Sequence, residues 1–579
     1  MRRKLMMGVA FAFAAACSFG KNVENLELRH VSSDEIFVSW DSDSDDEIPV
    51  LLNGKKCESV EENAGKSNSL VSSLLEEFYG YYDGKFEEVA GRKMVRTRRN
   101  FYKFSGLESS TEYKVNVGGS EISVKTQSAG KVLDVTSFGA VPGELDSVKA
   151  IEKNTKAIQK AIKKCQKNGT VLVPEGVFVC GSIKLKSDMT LKIDGVLKSS
   201  PFAENYDFGF LMYKYYTDRR YFGLINADGA KNIRIVGSGT VDGNGWKYAS
   251  SNGKPTEGNA FSSYSKENDS GLFVFPLFAS GSRKNVHERG ILAASCAEKY
   301  LEGIGKTRES ASEEELKFAF SSRSTMVIIR NSSGVFIEGL SFVNPANHTI
   351  NILDSENIGV TGVKVHSFNC ANGDGVGLIC SQNAWIWNNF FDTGDDSVVF
   401  SAGVGKAAST TGEKGVSNVR IFGNHFRNGH GGVAFGSHTA LGISGVSIHD
   451  NIFNWSNIPF RVKSNPANGG EVCDVKCFRN AMGDVYQTFL LSTDYKDGST
   501  ASTYGKADTP AVFHDVEISD CDIYRARQNT YLLYAEEGYP HHHIKFSGVT
   551  FVVFHDDEMG EVTNASECDF SGVKTFVVE

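Results

Sequence analysis

Eight short strand-like segments recur along the second half of the chain. They are Val335-Phe336-Ile337, Ile358-Gly359-Val360, Ala384-Trp385-Ile386, Val419-Arg420-Ile421, Val446-Ser447-Ile448, Val475-Lys476-Cys477, Val516-Glu517-Ile518 and Ile544-Lys545-Phe546. The steps between them are 23, 26, 35, 27, 29, 41 and 28 residues. One such unit cannot bury its own apolar face, so successive units must stack and share a core. Repeats of this size with strand patterning predict a parallel β-helix. The longer steps then become loops on the working face. Asn388, Asn389, Asn424 and Asn451 fall near matching points and predict an asparagine ladder.

Stacking turns spacing into proximity, because neighbouring strands lie about 4.8 Å apart. Aligned on Phe368, Phe391, Phe426 and Phe453, the units present Asn372-Gly373-Asp374, Gly394-Asp395-Asp396, Gly429-His430-Gly431 and Arg461-Val462-Lys463. Asp374 and Asp395 are 21 residues apart, about one turn, and are expected to be neighbours. Adjacent residues of an extended segment face opposite ways, so a turn or bulge must bring Asp395 and Asp396 to one place. Arg461 and Lys463 alternate and should both point outward, with Val462 inward. Cleavage of a glycosidic bond needs one protonated carboxyl for the leaving oxygen and a carboxylate to activate water or attack. Crowded carboxylates supply this by raising one another's pKa. His430 suits tuning of the cluster or holding a sugar hydroxyl. Arg461 and Lys463 suit a substrate carboxylate. Each motif alone is a common turn or a solvated face. Their order and shared place in the repeat point to acid-catalysed cleavage of an anionic sugar chain.

The rest of the 579 residues frames this region. With 59 Gly and 11 Pro the composition suits an all-β chain rich in tight turns. A net charge of −9 argues against a nucleic-acid partner. Residues 1–17 read as a signal peptide: Arg2, Arg3 and Lys4, an apolar run from Leu5, then Ala14-Ala15-Ala16. Export follows, periplasmic or extracellular, and Cys17 leaves a lipid anchor as the second option. No later segment is apolar enough for a membrane span. One or two disulfides are compatible with export, although the spacing of the 11 Cys favours mostly small buried residues. Residues 22–127 alternate as in a β-sandwich, with 53–100 atypical, helix-like at Leu70–Phe78 and basic at Arg92–Arg99. Asn154–Lys167 reads as a cationic amphipathic helix, placed to cap the open end of the stack. Residues 247–322 interrupt the repeat and should form a wall or lid.

Taken together, the four motifs resemble the polygalacturonases, glycoside hydrolase family 28. Gly237-Ser238-Gly239-Thr240-Val241-Asp242-Gly243-Asn244-Gly245 adds a further match, and the resemblance covers about 132–579. It implies a right-handed, pectin lyase-like parallel β-helix that hydrolyses α-1,4-galacturonosyl bonds of pectin or polygalacturonate with inversion. It implies Asp395 as general acid, Asp374 and Asp396 as the water-activating pair, and His430 beside them. Asn372, Arg461, Lys463 and Tyr495 would contact substrate, and no cofactor or metal is called for. Trp40 and Tyr113 resemble the core Trp and tyrosine corner of a fibronectin type III domain. Gly290–Ala294, Arg323-Ser324-Thr325 and Asn344–Thr349 resemble bacterial exo-acting members, whose inserted loops close one end of the groove. Gly373 replaces the family's Thr, and His438 stands where exo-acting relatives often carry Glu. A monomer acting on galacturonan is expected. Endo action and a decorated galacturonan are the alternatives. A Ca²⁺-dependent lyase and a non-catalytic polysaccharide-binding β-helix are the competing classes.

Overall fold

The computed structural model describes residues 23–247, 282–496, 503–554 and 559–578. The expected signal peptide, Cys17 and the first part of the 247–322 insertion lie outside the described residues. The C-terminal three quarters winds into three parallel sheets of 12, 11 and 13 strands, giving a right-handed β-helix. All eight repeats fall in one register, with Val335, Ile358, Ala384, Val419, Val446, Val475, Val516 and Ile544 paired in succession. Their side chains are at most 1% exposed and line one continuous core. The stack begins earlier than the visible repeat: Gly169, Met189 and Ile233 continue the same column upward. A large insertion between Asp242 and Val327 hides that continuity in the sequence.

Two side-chain columns hold the turns together. Phe391, Phe426 and Phe453 stack with ring centroids 5.1 and 4.7 Å apart. Asn389, Asn424, Asn451 and Asn480 form a buried ladder, each donating to the next at 3.0 Å. Asn388 lies outside that ladder and instead accepts from Arg99. The capping helix spans Val148–Lys164 and buries Ile151, Ala157, Ile158, Ala161 and Ile162. It starts earlier than the sequence suggested because Ser147 caps it, accepting from Ala150 N–H. The ten described cysteines are all free, so the expected disulfides do not form among them.

The N-terminal strands form two small antiparallel sheets around Trp40, Val115 and Val117. Tyr113 Oη accepts from Glu108 N–H at 2.8 Å, the tyrosine-corner bond. The atypical middle is a strap. Helices Val60–Ser67 and Ser69–Ala90 leave the sandwich, and Phe78, Tyr82 and Phe86 pack on Ile452, Ala481 and Val552 of the β-helix. Arg92 then clamps Asp522 through two bonds of 2.6 and 2.7 Å. Gly483 makes room for this: a Cβ there would sit 2.3 Å from the Tyr82 ring.

Candidate active site

The acidic motifs stand at the entry to the 11-stranded sheet. Val376, Val398 and Val433 pair in succession there. Two residues before each stand Asp374, Asp396 and Gly431, and three before stand Gly373, Asp395 and His430. The register partner of Asp374 is therefore Asp396, whereas the spacing suggested Asp395. Asp395 stacks instead on His430, whose backbone N–H donates to Asp395 O at 3.2 Å. The chain bends between the strands Phe390–Thr393 and Val398–Ser401, which brings both carboxylates to one place as expected.

Arg461 and Lys463 lie on the next rung but one, with Val462 in the core. Both are almost fully buried, and they reach across to Asp396: Lys463 Nζ stands 2.7 Å from Oδ2 and Arg461 Nη1 3.4 Å from Oδ1. The rung between offers only Ala434 beneath Arg461 and Gly436 beneath Lys463. A Cβ at Gly431 would stand 2.5 Å from Asp396 Oδ1, which explains the glycine after His430. The two cations are thus already engaged by a carboxylate. Tyr495 lies against both, its ring centroid 5.4 Å from the Arg461 guanidinium and 5.1 Å from Lys463 Nζ.

Asn372 joins the cluster to the inserted wall. Its Nδ2 donates to Asp395 Oδ2 at 3.3 Å, and its Oδ1 accepts from Arg323 at 2.8 Å. Arg323 is 1% exposed and also donates to the carbonyls of Ala346 and Ala371. Burial, then the nearby charge of Arg220, pulls its guanidinium down to about 9. Helices Leu292–Gly303 and Glu313–Ser321 deliver it, and they share a small core with Trp246, Cys370 and Ala371. The insertion is therefore wall and support in one. In the same loop a Cβ at Gly373 would stand 2.8 Å from Ser367 O and 2.9 Å from Cys370, so this tight turn excludes the family's Thr.

Electrostatics distinguish the three carboxyls. Burial, then the charges of Asp395 and Asp396, pushes Asp374 well above the usual carboxylate range. Burial also acts upward on Asp395, but the imidazolium of His430, with Lys463 and Arg461, holds it below that range. The imidazole is 3.7 Å from Asp395 and about two-fifths exposed.

Further residues surround the cluster, of which His348 and His438 are marked in the sequence only by resemblance. His348 Nδ1 is 4.0 Å from Asp374 Oδ2, and burial followed by the charge of Arg220 lowers the ring to about 4. His438 bonds Tyr213 Oη at 3.0 Å and is lowered to about 3 by burial, then by Arg220 and Lys463. Arg220 faces Asp374, His348 and His438, and among the described residues no carboxylate lies within ion-pair distance of it. Tyr216, stacked on Tyr504 at 4.5 Å, completes this aromatic wall. These residues come from segments outside the three long sheets, where no repeat marks them. A separate cleft of about 1730 Å³ lies between the sandwich and the β-helix. Its Lys103 and Arg234 are paired with Glu35 at 2.7 Å.

The family description "Glycosyl hydrolases family 28" matches residues 297–571. The exo-poly-alpha-D-galacturonosidase of Dickeya chrysanthemi is 31% identical over 529 residues, 86% of this chain and 81% of its own. The chain belongs to glycoside hydrolase family 28. As a member it is a glycoside hydrolase, and the resemblance read from the four motifs is borne out. A solved family 28 exopolygalacturonase from Yersinia enterocolitica shares the fold with a TM-score of 0.80 and 26% identity, over 96% of this chain and all of that one. The endo-polygalacturonase of Pectobacterium parmentieri is 24% identical and covers 60% of this chain.

Proposed function

We propose that the protein is an exo-acting polygalacturonase that hydrolyses α-1,4-galacturonosyl bonds with inversion. The observation that carries this reading is the cluster itself: Asp374, Asp395 and Asp396 share one end of the groove, with Arg461 and Lys463 committed to Asp396. One proton is retained among crowded carboxyls. It rests on buried Asp374 in the free protein and must reach Asp395, the more open member, for catalysis. Asp395 then protonates the leaving oxygen, while Asp374 and Asp396 activate water. Arg220 is the cation left over for a galacturonate carboxylate, and Tyr495 flanks the sugar on the other side. Exo action is supported by the wall built from helices Leu292–Gly303 and Glu313–Ser321 and by the Tyr213, Tyr216 and His438 group. Neutral His438 at the relatives' Glu position suits acceptance of an additional anionic or decorated sugar there.

Chromatography of polygalacturonate digests tests the reading. Monomer or dimer alone from the first time point is expected, and a ladder of oligomers would refute exo action. Proton NMR of the first-formed anomer tests inversion. The lyase reading keeps one geometric foothold, since the donor atoms of Asp395, Asp396 and His430 all lie within 4.8 Å. Hydrolysis that continues in EDTA without an unsaturated, ultraviolet-absorbing product removes it. The protein is proposed to act as an exported monomer. Cell fractionation separates a soluble periplasmic or secreted form from one anchored through Cys17.

A further inference from the structure

The first strand of each repeat opens with a residue in the left-handed region, and in the early turns these corner positions are Asp188, Asn232, Asn357, Asn383 and Asn418. They bond along the stack, as Asn418 Nδ2 does to Asn383 Oδ1 at 2.8 Å. The column just before them reads Gln382, Ser417 and Ser444 in successive rungs. In the last turns both columns change character. The outward column becomes Cys473, His514 and His542, directly paired across neighbouring strands. The corners become Asp474, Asp515, His543 and Glu567. Glu471 lies two residues before Cys473 on the same face of its strand. A ladder that needs only small polar groups has here acquired a thiol, imidazoles and carboxylates.

The geometry points to a binding site for a divalent transition metal of zinc type, held by Glu471, Cys473 and His514. Their donor atoms all lie within 4.8 Å of one another. His514 Nε2 is 3.4 Å from Glu471 Oε2, close to the separation of two donors in a tetrahedral shell with bonds of about 2.0–2.3 Å. Strand pairing presents Cys473 beside His514 from the next rung, so one ion would bridge two turns. His514 supplies the second observation. Its Nδ1 stands 2.7 Å from Asp515 Oδ2, so in the neutral ring that nitrogen carries the N–H and Nε2, turned to Glu471, is the atom able to ligate. A proton on Nε2 or a cation can bridge the ring and the Glu471 carboxylate, and the Cys473 thiol beside them supplies a third donor for the cation. His542 stacks on His514 with centroids 4.8 Å apart and limits how far that ring can rotate. A thiolate and an imidazole together select a borderline ion over Ca²⁺ or Mg²⁺. On binding, the Cys473 thiol passes its proton to solvent, and water completes the shell. The ion would clamp the last turns of the stack, apart from the Asp395 cluster.

Cobalt titration of the metal-stripped full chain tests this. One equivalent should give the thiolate-to-cobalt charge-transfer band with intense visible bands of a four-coordinate ion. Cys473→Ser should abolish the thiolate band, and His514→Ala should weaken binding at least tenfold. Asp395→Asn should leave the band intact, which separates this site from the catalytic cluster. Zn²⁺ should also protect Cys473 from alkylation, read by mass spectrometry of its peptide. A wild-type titration without the band, a band that survives Cys473→Ser, or alkylation of Cys473 unchanged by Zn²⁺ would each overturn the assignment.

Discussion

At Gly431 the absence of a side chain decides where Asp396 can stand, and through Asp396 where Lys463 and Arg461 point. Gly431→Ala is expected to displace the carboxylate and lower kcat by about tenfold or more, while equilibrium unfolding changes little. Steady-state kinetics beside a denaturant titration check both halves. Asp395→Asn should cost about 10²–10⁴ in kcat, the usual worth of a placed proton donor, with KM near wild type. His430→Gln removes the charge that holds Asp395 low. A carboxyl with a higher pKa stays protonated to higher pH, so the basic limb of the pH–rate profile should move upward. A limb that stays in place would separate His430 from the acid. The main positions were legible in the sequence because each motif repeats at one place in a repeating unit. What misled was the offset within a rung. Spacing put Asp374 near Asp395, whose charge does act on it, but the strand register pairs Asp374 with Asp396. Arg323, His348 and His438 were marked only by resemblance and Arg220 not at all, since only folding brings their segments to the cluster.

At the scale of elements, the β-helix is held by columns that run across turns. Asn424→Ala would leave the side-chain partners of Asn389 and Asn451 unmade in a fully buried ladder. A loss of about 1–3 kcal/mol is expected for each group left unsatisfied, measured by urea unfolding. The strap is held differently. Phe86 is fully buried between the Ser69–Ala90 helix and the last turns. Phe86→Ala should cost about 3–5 kcal/mol, and hydrogen exchange should show the strap opening before the β-helix core. Helical periodicity at Leu70–Phe78 announced a helix, but nothing local could reveal that it docks on residues near 452–552. Contacts so distant in sequence leave no pattern within either segment.

For the whole molecule, neutral buried imidazoles set the acid limit. His348 and His541 are lowered to about 4, and His425 and His438 to about 3, in each case mainly by burial. An unfolded chain takes up protons on these rings near pH 6.5, where the folded chain does not. Between about pH 6.5 and 4 the unfolded state therefore binds more protons, and stability falls as pH falls. Denaturation midpoints at pH 7, 6, 5 and 4 should drop progressively. A flat profile over that range would mean the rings are charged in the folded state.

The clamp between Arg92 and Asp522 has a consequence in time as well as in space. Its two ends are 430 residues apart in the chain. During synthesis the strap emerges long before the surface it rests on exists, so Phe78, Tyr82 and Phe86 have no partner until the final turns are made. The last step of folding must then be the closing of the beginning of the chain onto its end. A polypeptide built this way stays open for as long as it is being made.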